Sequence, residues 1–149
     1  CMMSFKHIIV PLDGSELAEK ALTYARRILD TSGKITLLNV LDEMNEPFNR
    51  YTVTDAKLMQ ENIRESAASY LERVRDDLKK DGINSTPRVE YGDPAERIVE
   101  IAEEDSAQVI VISTRGRSGI SRWVMGSVAQ KVLSAAPCPV FIIPVKERK

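Results

Sequence analysis

Short apolar runs alternate with longer stretches in which apolar residues recur every three or four positions. His7-Ile8-Ile9-Val10 is the first run and predicts a strand. Ser15 to Asp30 follows with Leu17, Ala21, Ala25, Ile28 and Leu29 at helical spacing, and Gly33 fits a stop just past the end of that helix. Lys34 to Leu41, with Ile35, Leu37, Leu38 and Val40, predicts a second strand. Asp42 to Thr54 reads as a polar loop. A long helix is then expected over Asp55 to Asp81, on a stripe of Met59, Ile63, Ala67, Tyr70, Leu71, Val74 and Leu78 that closes at Gly82. Thr86 to Tyr91 predicts a third strand. At Asp93-Pro94-Ala95-Glu96 a helix starts with a capping residue, a proline suited to the first helical position, and a glutamate placed to reach back. Gln108 to Ile112 is a β-branched run without alternation, the pattern of a strand buried on both faces. A loop rich in Gly, Ser and Arg is expected from Ser113 to Met125. Gly126-Ser127 opens a last helix carrying Val128, Val132 and Ala135. Pro137-Cys138-Pro139 ends it, and Val140-Phe141-Ile142-Ile143 predicts the fifth strand.

Strand and helix in regular alternation define an α/β fold: an open, doubly wound, five-stranded parallel sheet with helices on both faces, Rossmann-like in layout. Nothing in residues 1–149 suggests a linker or an internal repeat, so a single domain is expected. In such sheets ligands bind beyond the carboxyl ends of the strands, where strand order reverses. Two strand ends carry loops of the right composition. Pro11-Leu12-Asp13-Gly14-Ser15 follows the first strand, and Ser113-Thr114-Arg115-Gly116-Arg117-Ser118-Gly119 follows the fourth. If both line one crevice, the first and fourth strands are neighbours. That favours the order 3-2-1-4-5 over 2-1-3-4-5.

The second loop has the makings of a polyphosphate cradle. Gly116 allows close backbone approach, and Gly126-Ser127 stands at a helix start, where free N–H groups and the positive dipole end favour an anion. Ser127 adds a hydroxyl, and Arg115, Arg117 and Arg122 add positive charge. The plainer alternative is a glycine-rich turn before an ordinary N-cap serine. Asp13 has two readings as well. It bonds a ribose hydroxyl or a metal, or it serves the cap of the helix that follows. Val40 is a core residue or the apolar wall of a base site.

Charge and composition narrow the choice. The chain has 149 residues, of which 43% are hydrophobic and 29% charged, with a net charge of −1. Neither nucleic acid nor an anionic membrane is suggested as a partner. No apolar run approaches the ~20 residues of a membrane-spanning helix. Cys1 and Cys138 are the two cysteines; they do not form a disulfide framework, and a reducing cytoplasm is expected. Cys1 precedes Met2 and Met3 and reads as an added residue. Met2 to Lys6 runs directly into the first strand without a signal-peptide pattern. His7 is the one histidine, which argues against a histidine metal cage and a Ser-His-Asp hydrolase. GxxxxGK[ST] and GxGxxG are both absent, which removes the P-loop and dinucleotide fingerprints.

The segments HIIVPLDGSELAEKAL and GSVAQKVLSAAPCPVFIIP make the chain resemble the universal stress protein family along essentially its whole length. The ATP-binding branch of that family carries a glycine, two residues, a glycine, nine residues, then glycine with serine or threonine. Gly116, nine residues and Gly126-Ser127 match that spacing, and Ser113 stands where the first glycine would fall. The resemblance implies an ATP-dependent regulator of the stress response with at most weak ATPase activity. It implies Asp13 on the ribose and Val40 beside the adenine. Ser113, Arg115, Gly116, Gly126 and Ser127 would stand around the phosphates, with Mg²⁺ or Mn²⁺ bridging these. Pro11, Ile112 and Val128 would line the site, and the segment from Asp42 to Thr54 would act as a lid. It also implies a homodimer formed through the last strand, Val140, Phe141, Ile142 and Ile143. That strand's apolar edge needs covering, by a partner or by the charged tail Lys146–Lys149. A nucleotide-free dimeric interaction module of the same family is the alternative.

Overall fold

The computed structural model describes residues 3–42, 53–116 and 125–146. Strands β1 (Phe5–Pro11), β2 (Leu29–Leu41), β3 (Asn84–Tyr91), β4 (Val109–Gly116) and β5 (Val140–Lys146) alternate with helices α1 (Glu16–Ile28), α2 (Val53–Lys80), α3 (Pro94–Glu104) and α4 (Ser127–Ala135). The strands form one parallel sheet in the order β3-β2-β1-β4-β5, the expected Rossmann-like layout.

Alternate residues of the strands feed two separate cores. Ile8, Val10, Ile35, Leu37, Val109 and Val111 pack with Ala21, Leu22 and Ala25 of α1 and Leu71, Val74 and Leu78 of α2. Ile9, Leu38, Ile110 and Ile112 pack on the opposite face with Ile98 and Ile101 of α3 and Ala129 and Val132 of α4. Each helix therefore needs only one apolar stripe, while the central strands need side chains that are apolar in both directions. The unalternating run at Val109–Ile112 has this origin.

Local rules account for the helix starts. Ser15 caps α1, its Oγ accepting the Ala18 N–H at 3.1 Å, and Asp93 caps α3 by accepting the Glu96 N–H at 3.0 Å, with Pro94 just inside. At the end of α2 the Ile83 N–H donates to the Leu78 carbonyl at 3.0 Å and closes the helix around Gly82.

Several boundaries depart from the pattern-based expectation. Helix α1 ends at Ile28, and β2 already begins at Leu29, so Gly33 is not a helix stop. It lies inside β2 where the pairing with β1 slips between Phe5↔Leu29 and His7↔Lys34. A Cβ on Gly33 would stand 2.9 Å from the Phe5 carbonyl oxygen and 3.0 Å from that of Lys6. The glycine is there because the neighbouring backbone leaves no room. Strand β4 continues through Ser113 and Thr114 to Gly116, because β5 offers ladder partners as far as Lys146. The expected loop therefore starts later than Ser113, and its centre, residues 117–124 with Arg117 and Arg122, lies outside the described residues. At the start of the expected stripe of α2, Met59 is only partly buried and Ile63 is exposed, and full burial starts at Ala67. The expected lid, apart from Asp42 and its last two residues, and the tail residues 147–149 also lie outside the described residues.

The two sheet edges differ. On β3 the guanidinium of Arg88 holds Glu90 at 2.7 Å and Asp105 at 2.9 Å, while Arg97 holds Glu90 at 3.1 Å and also pairs with Glu100. With Pro87 in the strand, this charged lattice discourages pairing with another chain. On β5 the described residues are mainly apolar and half-buried. Among the described residues, no helix is long and apolar enough to cross a membrane.

At the amino ends of the strands His7 joins three elements. The Asp105 carbonyl can only accept, so the His7 Nδ1, 3.3 Å away, carries the proton, and Nε2 accepts from the Thr36 hydroxyl at 2.8 Å. Burial, helped by the charge of Lys34, lowers the imidazole pKa below its ordinary 6.5.

Two predictions follow from this packing. Gly33→Ala should cost about 1–3 kcal/mol in urea unfolding, because two backbone carbonyls as well as the Leu29 side chain oppose the added methyl. The His7 ring favours the neutral form in the folded state, so folding stability should fall as pH drops below 6.5. An NMR titration of the one histidine should give a midpoint below 6.5, and His7→Gln should remove this part of the pH dependence.

Candidate functional site

Strand order reverses between β1 and β4: β1 leads outward to β2 and β3, β4 to β5. The connections leave the carboxyl ends of these two neighbours toward opposite faces, and a cleft of about 760 Å³ opens there. That volume is in the range of small-molecule sites.

Eight of the ten residues expected at the site line this cleft: Pro11, Asp13, Val40, Ile112, Ser113, Gly126, Ser127 and Val128. Arg115 and Gly116 lie at the end of β4, where their backbones pair with Val145 and Lys146 of β5.

The structure brings the two readings of Asp13 together. Its Oδ1 accepts from the Ser15 N–H at 2.9 Å and from the Ser15 hydroxyl at 2.6 Å. That hydroxyl is then oriented to accept from Ala18. Ser15 is therefore the cap, and Asp13 steers it with one oxygen. Oδ2 has no hydrogen-bond partner among the described residues, and the exposed carboxylate faces the cleft.

Helix α4 begins differently from α1 and α3. Its N-cap is Gly126, and among the described residues no side chain caps it. The Gly126 N–H donates to Thr114 Oγ1 at 3.0 Å, so it is not a free donor for an anion. The N–H groups of the first turn, from Ser127 onward, have no partner within the helix. A Cβ on residue 126 would stand 3.1 Å from Thr114 Oγ1, which explains the glycine at a φ of −56° that any residue could adopt.

Ser113 stands in the extended backbone of β4, paired with Ile143. That conformation does not require glycine. Its hydroxyl turns to α1 and donates to the Ala18 carbonyl at 3.4 Å.

Pattern reasoning did not single out several lining residues. Leu38, Pro94 and Ile98 join Val40 and Ile112 in an apolar wall between the sheet and α3. Pro94 was recognised only as a helix starter. Asn39 and Thr114 are each only 8% exposed, and they bring polar groups to the lining. A polar residue inside an apolar run was the available signal for Asn39. Beside α1, the Tyr70 hydroxyl is buried without a hydrogen bond of normal geometry among the described residues. Burial, then the nearby Glu19 carboxylate, pushes its pKa well above the ordinary value for a phenol. Among the described residues no cluster of His, Cys, Asp and Glu could itself hold a metal ion.

The chain is thus a doubly wound α/β protein with a ligand-sized cleft at its topological switch point. One end of the cleft is apolar, and the other holds an uncapped helix start. The universal stress protein family model matches residues 4–144, and the chain belongs to that family. A universal stress protein of Methanocaldococcus jannaschii is 31% identical over 147 residues, covering 96% of this chain and 85% of the relative. Among solved structures, the hypothetical protein MJ0577, the subject of a structure-based assignment of biochemical function, superposes with a TM-score of 0.83 at 26% identity. The match covers 99% of this chain and 100% of that one. A universal stress protein in complex with cAMP shares the fold with a TM-score of 0.66 at 22% identity, covering 94% and 97%.

Proposed function

We propose that this universal stress protein binds ATP in the cleft at the ends of β1 and β4 and acts as a nucleotide-dependent regulator in the stress response. One observation carries the reading: an apolar wall, a carboxylate with one oxygen unpartnered among the described residues, and a helix start that none of their side chains caps, all face one cavity. The wall of Val40, Pro94, Ile98 and Ile112 suits a base, which is flat and largely apolar. Asp13 Oδ2 is an acceptor suited to a ribose hydroxyl. The first turn of α4 offers oriented N–H donors and a positive dipole end to phosphate oxygens. The backbone of Arg115 and Gly116 and the hydroxyl of Ser127 complete the phosphate end, and Mg²⁺ or Mn²⁺ is held through the phosphates themselves. The cAMP complex of a protein with this fold supports an adenine nucleotide as the ligand class.

The residues named offer no general base beside a nucleophile, so the role is regulatory, with hydrolysis weak at most. The protein works in the cytoplasm. Its β5 edge, Val140 to Ile143, pairs with a second copy about a two-fold axis, since an apolar strand edge otherwise invites uncontrolled association.

Calorimetric titration of Mg²⁺–ATP into protein stripped of nucleotide tests the site. Micromolar affinity is expected, with at least about a tenfold loss in a folded Asp13→Ala variant, as for removal of an acceptor of charge-assisted hydrogen bonds. Equal affinity in the variant would remove Asp13 from the site. No binding by folded wild-type protein would leave a nucleotide-free interaction module. Sedimentation over a range of concentrations should give a dimer, and a monomer throughout would contradict pairing through β5.

A further inference from the structure

The sequence contains the step Asp–Gly twice, at Asp13–Gly14 and at Asp81–Gly82. Such a step rearranges on its own when the glycine nitrogen attacks the aspartyl side chain, because glycine has no Cβ to shield that nitrogen. Both glycines have a positive φ, +90° at Gly14 and +76° at Gly82, and both stand in open space. Both aspartates are exposed. By sequence and exposure the two steps are alike, and their hydrogen bonds separate them. The Gly82 N–H donates to the Lys79 carbonyl at 3.0 Å, and the Asp81 carboxylate is held by Arg26 at 2.6 Å. Attack there must first break two contacts. The Gly14 N–H has no hydrogen-bond partner among the described residues. Asp13 Oδ1 accepts from the Ser15 N–H at 2.9 Å and the Ser15 hydroxyl at 2.6 Å, so the carboxyl stays close to the Gly14 nitrogen that lies between them. A nitrogen without a competing bond and a carboxyl anchored beside it therefore meet at one step and not at the other.

We propose that Asp13–Gly14 is a site of spontaneous isoaspartate formation in the folded protein. The Gly14 nitrogen bonds to Asp13 Cγ while the carboxyl is in its acid form. The Cγ–Oδ2 bond breaks, and a water molecule leaves with Oδ2, the carboxyl proton and the amide proton. Water then adds to the main-chain carbonyl carbon of Asp13, and the bond from that carbon to the Gly14 nitrogen breaks. The main chain now runs through Cγ and is longer by one methylene, while the carboxylate sits directly on Cα. Water alone takes part, and no oxidant or reductant is needed. The displaced carboxylate loses its bonds to Ser15, and the cap of α1 loses its support. The modification stands on its own chemistry; its effect on ATP rests on the nucleotide reading above.

The test ages wild-type protein at neutral pH with and without Mg²⁺–ATP, follows its folding by circular dichroism, and maps its peptides. The isomer has the mass of the parent, so the peptides are separated by chromatography and isoaspartate is counted by enzymatic methylation of its carboxylate. Isoaspartate should accumulate at residue 13 roughly tenfold or more faster than at residue 81, the factor expected for one hydrogen bond and one exposed ion pair. In urea the two steps should react at comparable rates, because only the fold distinguishes them. Equal rates at the two steps in folded protein, a faster reaction at residue 81, or no isoaspartate at residue 13 overturns the proposal. With the nucleotide reading correct, ATP affinity falls in step with the fraction modified at residue 13, and bound Mg²⁺–ATP slows the reaction there but not at residue 81. Isoaspartate at residue 13 that forms at the same rate with ATP, and leaves ATP affinity intact, supports the modification site and removes Asp13 from the ligand. Wild-type protein that binds no ATP, yet modifies first at residue 13, overturns the nucleotide reading and supports this one.

Discussion

The burial of β1 on both faces is the constraint from which the rest of the architecture follows. Ile8 and Val10 point into one core and Ile9 into the other, and all three are fully buried. A strand in that position needs a helical layer on each side. Here α1 and α2 cover one face, and α3 and α4 the other. Two layers on opposite faces require the chain to run outward from the centre in both directions, so the order must reverse beside β1. The crevice at that reversal arises from the packing of a parallel sheet, and function needs only to furnish it.

The furnishing is mostly a matter of which polar groups are satisfied within the chain. At α1 and α3 the helix starts are closed by Ser15 and Asp93. At α4 the corresponding cap is absent, and Thr114 takes up only the Gly126 N–H. Asp13 shows the same economy, with one oxygen ordering the α1 cap and the other directed to no described residue. The local structure is therefore complete where the fold needs it and open where a ligand can finish it. At the opposite end of the sheet, His7 bonds Thr36 and Asp105.

Ser113 illustrates how a departure from a motif is judged by geometry. A serine in place of glycine would matter if the backbone needed a left-handed conformation or if the side chain filled the cleft. The backbone is an ordinary strand, and the hydroxyl bonds the Ala18 carbonyl on α1. The substitution is absorbed into the contact between β4 and α1, leaving the α4 start unobstructed by it.

The sequence by itself determined the α/β alternation, the three helix starts at Ser15, Asp93 and Gly126, and the strand ends that carry the cleft, because these depend on periodicity and on local capping chemistry. Its two candidate loops also led to the strand order. What it could not determine were contacts between segments distant in the chain. Gly33 read as a helix stop because a glycine after an amphipathic run usually is one, and only its approach to the Phe5 and Lys6 carbonyls shows its role. The extension of β4 to Gly116 depended on β5 being there to pair with it. Asn39 was passed over in the second strand, and Thr114 was named only as part of the loop after the fourth. The tertiary structure made them part of the cleft, because burial and the absence or presence of a partner are properties of the packed chain and are not carried by any local pattern.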